Sequence, residues 1–335
     1  MSETAVDPSV RGRWAAPPLR LARRIGLVAA MPYLYLVALA LAIYFLQSNL
    51  LTGSGAIDVR ATAVFPLALI AFGQTLAIFT RGIDLAVGGI VSTTTALLAT
   101  HGGTSGLTLG VQVAAVIGLG AVAGAFNGAV VALTRLQPFI VTLATWSIWG
   151  GVAFVVLPVE GGATSPELIS LVLGSVLGVP KSVWGIAILF AIWVWLRNTR
   201  FVVDLKAIGS DEARARLVGV PLVRRKVQTY AISGALAATA GVWVAAQTAS
   251  GAPTAGDQFI LASVAAVVIG GASIFGGTGS VASSIVGAIV LLMIPDLVFA
   301  LELTSFWSVF FQGFLLIVAV TISSLAITLR VGRGR

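Results

Sequence analysis

The chain has no cysteine and a single histidine, His101, so no disulfide framework, thiolate metal site or zinc cluster can be assembled from it. Charge is scarce too: Asp, Glu, Lys and Arg make up 10% of the 335 residues. No Ser/His/Asp set, paired catalytic carboxylates or metal-ligand spacing occurs. Catalysis within the chain is therefore not expected, and no metal or cofactor is assigned to it. FGGTGSV (275–281) has the glycines of a phosphate-cradling loop but lacks its Lys-Ser/Thr, and reads as a tight turn between apolar runs.

Apolar residues fill the chain instead, at 58% with a mean hydropathy of +1.03. One water-soluble core could not bury that much. Runs near the ~20 residues that a helix needs to cross a hydrocarbon layer of about 30 Å recur throughout. The expected fold is an all-α polytopic membrane protein with about ten transmembrane helices, at 25–46, 61–80, 84–100, 108–133, 138–157, 180–197, 227–247, 259–275, 280–301 and 306–329. Residues 1–24 are polar and basic for too long to be an ordinary signal peptide and form a cytoplasmic leader. Residues 25–329 form the transmembrane domain, interrupted by a long polar loop at 198–226, and 330–335 form a cytoplasmic tail. With both termini inside, 18 of the 20 Lys and Arg fall on the cytoplasmic side, leaving Arg60 and Lys181 outside. The net charge of +8 is thus a topology signal and not a nucleic-acid footprint.

Ten spans divide into five and five, and an odd number per half makes the halves cross in opposite directions, a candidate inverted repeat with a path between its halves. Asn127-Gly128-Ala129-Val130-Val131 in the fourth span has a counterpart in Val286-Gly287-Ala288-Ile289-Val290 in the ninth, although Gly/Ala/Val-rich helices also match by chance. Gly120, Gly124 and Gly128 line one face at four-residue spacing, which lets helix backbones approach closely.

Polar side chains at membrane depth are functional candidates. Asp84 in TRGIDLAVGG (80–89) is flanked by Gly82, Gly88 and Gly89; it either marks a helix break that lines a path or caps a span near the surface beside Arg81. Asn127, Gln137, Thr142, Thr145, Gln247 and Gln312 could offer hydrogen bonds to a polyol or to neighbouring helices. Trp146 and Trp149, three apart on one face, could stack a sugar ring or pack in an interfacial belt. His101 lies in an outward loop with no partner set.

In a chain this poor in charge, AIGSDEARARLVGVP (207–221) stands out. Ser210 is a plausible N-cap for a helix of about eight residues, Asp211 to Val218, with acids at its positive end and Arg214 and Arg216 in the later turn. Glu212 and Arg216 are spaced for an i,i+4 pair worth ~0.2–0.5 kcal/mol. Gly219 can adopt a left-handed C-terminal conformation, and Pro221 stops the helix. A helix this short needs a surface to lean on.

Four segments, GIDLAVG (82–88), FNGAVVALTRLQPFIVTLATWSIWGGVAFVV (126–156), AIGSDEARARLVGV (207–220) and APTAGDQFILASVAAVVIGGASIFGGTGSV (252–281), together resemble the inner-membrane permeases of bacterial ABC importers of the ribose/xylose/galactose type, over roughly residues 61–329. These are relatives of the branched-chain amino-acid permeases. The resemblance implies a permease subunit in the bacterial plasma membrane, surrounded by lipid and paired with a second copy or a paralogue. It implies two cytoplasmic ATPase subunits, which hold ATP and Mg, and an external substrate-binding protein delivering a monosaccharide or related polyol. It also makes 207–220 a coupling helix in which Asp211, Glu212, Arg214 and Arg216 give polar contacts, Leu217 an apolar anchor and Gly219 the stop. Asp84, Asn127, Thr142, Thr145, Trp146 and Gln247 become the candidates for the path. The chain departs from the family pattern at Thr80-Arg81, where Ser-Gly is usual, and at Ile260 and Ala262, where Glu and Asp are common. An ion-coupled secondary transporter using Asp84 is the competing class.

Overall fold

The computed structural model describes residues 19–53, 55–100, 103–134, 136–304, 306–314, 317 and 321. Most of the leader, the tail, His101 and Arg135 lie outside these residues. The chain runs through α1 (Leu19–Gln47), α2 (Asn49–Thr52), α3 (Ala56–Phe79), α4 (Ala86–Ala99), α5 (Gly106–Leu133), α6 (Pro138–Val156) and α7 (Pro166–Val172). A two-stranded hairpin follows, β1 (Ser175–Val176) with β2 (Val179–Pro180), in the register Ser175 to Pro180 and Val176 to Val179. The second half holds α8 (Lys181–Leu196), α9 (Arg200–Ser210), α10 (Glu212–Leu217), α11 (Leu222–Thr248), α12 (Asp257–Ile269) and α13 (Val281–Ala300), and residues 306–314 are again helical.

Among the described residues, α1, α3, α5, α6, α11 and α13 are long and apolar enough to cross a membrane. The chain is an all-α polytopic membrane protein. α8 ends at Leu196 and α9 leaves it at a 77° bend, which turns the chain into the polar loop. The expected spans at 84–100 and 259–275 are shorter: α4 has 14 residues and α12 has 13. At 1.5 Å per residue they reach about 20 Å, short of a hydrocarbon layer. Each is instead preceded by a non-helical stretch that turns back into the protein, 80–85 before α4 and 249–256 before α12.

Such stretches are tolerated at this depth only where protein partners replace the missing helical hydrogen bonds. The 249–256 segment runs antiparallel to α4: the Thr95 hydroxyl donates to the Ala252 carbonyl (3.1 Å) and the Gly256 amide donates to Ser92 Oγ (2.9 Å). Gly256 then meets Gly88 backbone to backbone, where a Cβ on Gly256 would strike the Gly88 carbonyl. The N-terminal ends of the two short helices therefore lie side by side.

α3 is the hub, buried from Val64 to Phe79 and packed against α11, α13, α8 and α12. Gly73 admits Ser233 of α11, and Gly120, Gly124 and Gly128 of α5 lie against the α11 backbone at Gly234, Tyr230 and Val227. α13 leans on α3 much as α5 leans on α11, and α3 and α11 each lead through a re-entrant stretch into a short helix. The paired glycines differ in what they touch: Gly128 faces α11, whereas Gly287 faces Ala266 and Gly270 at the end of α12. α5, α6 and α8 turn exposed apolar faces outward, among them Leu107, Val122, Phe126, Ile148, Val155 and Trp195.

Candidate functional site

α3 closes with a Schellman motif: the Arg81 amide donates to the Ile78 carbonyl and the Gly82 amide to the Ala77 carbonyl, both at 3.0 Å. The motif puts Arg81 at φ 62°, where a side chain costs about 1–2 kcal/mol relative to glycine. The chain then climbs back along α3, and the Asp84 amide donates to Gln74 Oε1 (3.3 Å). Asp84 Oδ1 accepts from the Ala86 amide (3.1 Å) and so caps the first turn of α4. Asp84 thus stands at a helix break and also holds the first amide of α4, but it is wholly buried and not near the surface, and Arg81 turns away from it. Tyr230 lies close enough to feel its charge, with the phenol oxygen against Gly82, and Ser233 stands beside it. Gln74 Nε2, Asp84 Oδ2, Tyr230 Oη and Ser233 Oγ have no protein hydrogen bond, which makes this the densest group of unpaired buried polar atoms among the described residues.

The remaining path candidates do not converge on one point. Thr142 is buried and donates to the Ile83 carbonyl (2.9 Å), tying α6 to the break beside Asp84. Thr145 bonds within its own helix, to the Val141 carbonyl. Asn127 is buried, sits on the face of α5 that meets α11, and has neither amide atom paired. Gln247 lies at the far end of α11, where its Nε2 donates to the Thr62 carbonyl. The Trp149 carbonyl accepts from Thr93 (2.8 Å) and its Cβ lies against Gly89, a packing position. Trp146 reaches the start of α12 and donates from Nε1 to Asp257 Oδ1 (3.2 Å).

Sequence reasoning passed over Asp257, Gln74, Tyr230 and Ser233. Asp257 opens an apolar run after a Pro/Gly segment, which was the available signal. The other three are single polar residues in apolar helices, and only the fold shows that they face Asp84.

The 198–226 loop is mostly helical. α9 buries Val202, Leu205 and Ile208, a three-residue spacing. It ends at Ser210, so the N-cap of the next helix is Asp211 and not Ser210: Asp211 is extended (φ −161°) and its Oδ1 accepts from the Arg214 amide (3.0 Å). α10 therefore has six residues rather than eight. The expected Glu212–Arg216 pair is absent among the described ion pairs. Glu212 is taken by Lys226 at the start of α11 (2.9 Å), and Arg214 pairs with Asp211 (2.8 Å). Gly219, at φ 83°, ends α10 in a second Schellman motif. The Arg214 amide bond holds the Asp211 carboxyl below the usual carboxylate range. Ala215 anchors α10 on Ile208 and Leu222, while Leu217 and Val218 are 86% and 78% exposed.

Beneath this unit, Gly276, Gly277 and Gly279 of the 275–281 turn all have positive φ. The Gly277 amide donates to the Phe79 carbonyl at the end of α3 (3.1 Å). Lys206 donates to the Gly279 carbonyl (3.1 Å) with its ammonium over Phe79, and Arg225 pairs with Asp204 (2.7 Å). α9, the turn and the break after α3 thus form one joint.

Residues 57–320 match the family model described as "Branched-chain amino acid transport system / permease component". The chain is 36% identical over 263 residues to the Ribose import permease protein RbsC of Escherichia coli (strain K12), covering 77% of this chain and 82% of that protein. It is 35% identical to the Galactofuranose transporter permease protein YtfT of the same organism, over 85% of this chain and 82% of the relative. It is 33% identical to the Probable ABC transporter permease protein y4mJ of Sinorhizobium fredii, over 96% of this chain and 97% of that one.

Proposed function

This chain belongs to the branched-chain amino acid transport system / permease component family, and from that premise we propose that it is the membrane subunit of an ATP-driven importer of a monosaccharide or related polyol. As a permease it is a transport subunit and not an enzyme; hydrolysis of ATP, with its Mg, falls to a partner ATPase. The relatives named for a cargo carry ribose and galactofuranose, both polyhydroxylated monosaccharides. An external binding protein delivers the sugar, and a second copy or a paralogue completes the pathway. The subunit sits in a bacterial inner membrane with the α9–α10 side cytoplasmic, in accord with the eight Lys and Arg between 197 and 226.

The observation that carries this reading is α10. It is capped at both ends and seated on α9 and α11, yet at and just past its C-terminal end it offers two bare apolar side chains, Leu217 and Val218, beside the exposed Glu212, Ala213, Arg214 and Arg216. A lipid-facing helix would not be so charged, and a solvated connector would not expose both. We assign it as the docking helix for the ATPase, with Leu217 as anchor and Arg214 and Arg216 as polar contacts. Elsewhere, Trp146 and Asp257 pair an aromatic face with a carboxylate at the start of α12, a combination suited to a polyhydroxylated ring.

Proteoliposomes carrying the chain, its ATPase and its binding protein should take up labelled monosaccharide only when supplied with ATP. Leu217→Asp should insert and fold normally but lose at least tenfold in ATPase association, as expected when an anchor worth about 1.5–3 kcal/mol is removed. Uptake that follows an ion gradient without ATP, or unimpaired assembly of Leu217→Asp, would overturn the reading.

A further inference from the structure

We propose that Arg81 is the positioning residue that fastens the base of the docking helix to the break between α3 and α4, so that movement of α10 is delivered to the start of α4. The inference rests on the docking assignment of α10 made above.

Arg81 holds a backbone conformation that suits glycine, and two other helices that end in the same motif, α10 and α12, use Gly219 and Gly271 there. Glu302 at the end of α13 is also a side-chain-bearing residue in this position. What distinguishes Arg81 is the use made of the side chain. Its Nε donates to the Gly209 carbonyl (2.6 Å) and its Nη2 to the Ser210 carbonyl (2.7 Å). These are the last two residues of α9, whose terminal carbonyls have no acceptor role left within the helix. A guanidinium with fixed, forked donors can hold two adjacent carbonyls at once, which an ammonium on a flexible stem cannot do as firmly.

The joint leaves little room to slip. Gly209 is pressed against the Phe79 carbonyl, where any Cβ would collide, and the Gly277 amide donates to that same carbonyl. Gly276 backs directly onto the Arg81 side chain. On one side of the clamp, the next residue after Ser210 is Asp211, at once the end of α9 and the N-cap of α10, so no flexible linker separates the two. On the other side, Gly82 and Ile83 lead to Asp84, which caps α4, and Ile83 is held to α6 by Thr142. A force on α10 thus passes through Asp211 and two carbonyls into Arg81, and from Arg81 by three peptide units to the two elements beside the break.

The test uses the whole importer in proteoliposomes. Because the chain has no cysteine, Ala213→Cys on the exposed face of α10 supplies a unique thiol for cross-linking to the ATPase. Arg81→Gly, made in that background, keeps the left-handed backbone and removes only the clamp. It should preserve the thermal midpoint of the permease and the cross-link from position 213, while the ATP hydrolysed per sugar imported rises at least fivefold. Arg81→Asn, which also tolerates this conformation but cannot reach both carbonyls, should behave likewise and serves if Arg81→Gly does not accumulate. Arg81→Lys should lie between these and the parent. A cross-link that persists with an ATP-to-sugar ratio within twofold of the parent overturns this inference alone. If the Ala213→Cys variant with Arg81 intact never cross-links to the ATPase, the docking assignment falls and this inference with it.

Discussion

The contact between α5 and α11 makes a paired prediction on a single helix. At Gly124 an added Cβ would run into the Tyr230 carbonyl and the Ala231 Cα, and both are main-chain atoms that cannot rotate aside. Gly118 lies six residues earlier on α5, exposed, with nothing within 4 Å of where its Cβ would stand. Replacing either glycine by alanine gains about 0.5–1 kcal/mol of helix preference. At Gly118 nothing opposes the gain. At Gly124 the two helices must separate, and overpacking of this kind costs about 1–3 kcal/mol. Gly118→Ala should therefore stabilise the protein, and Gly124→Ala should destabilise it by roughly 1–2 kcal/mol. At about 2–4 °C per kcal/mol, the thermal midpoints of the two variants in detergent should differ by on the order of 4 °C or more, on opposite sides of the parent. Midpoints that move together in one direction would show that the glycine face does not set the distance between α5 and α11.

Two further outcomes follow from the capping carboxylates. Asp84→Leu strips the Ala86 amide of its acceptor inside the protein, a loss of about 1–3 kcal/mol for an unsatisfied buried donor, and differential scanning fluorimetry should record it together with reduced uptake. Asp211 titrates below its ordinary value of 3.8 in the folded chain, so the stability that it lends α10 is fully present above pH 3.8 and lost as pH falls through the lowered value. Hydrogen exchange at the Arg214 amide, corrected for its intrinsic rate, should be slow from pH 5 upward and quicken below about pH 4. Asp211→Ala should exchange fast across the whole range, and a pH-independent rate in the parent would refute the cap.

The polytopic membrane class was readable because hydropathy is a summed property: about twenty apolar residues in a row survive any local error. α10 was readable because caps are local, and its ends were misplaced by one residue each. Asp211 and Ser210 are both good N-caps by type, and the choice between them fell to α9, which runs one residue into the space that a Ser210 cap would need. The Glu212 partner was misassigned for a related reason, since Lys226 is fourteen residues away and becomes a neighbour only when α11 folds back beside α10.

The sequence by itself thus determined the class of molecule and the presence of a short capped helix after residue 210, because hydropathy and helix capping act over short stretches of chain. Only the tertiary structure decided that two of the expected spans are half-length helices that begin inside the protein. It also gathered Gln74, Asp84, Tyr230 and Ser233 into one buried cluster, turned Trp146 to Asp257, and aimed Arg81 at α9 and not at Asp84. Each of these depends on which backbone groups find partners across the fold, and a polar atom removed from water goes to the nearest available partner in space, wherever that partner stands in the chain.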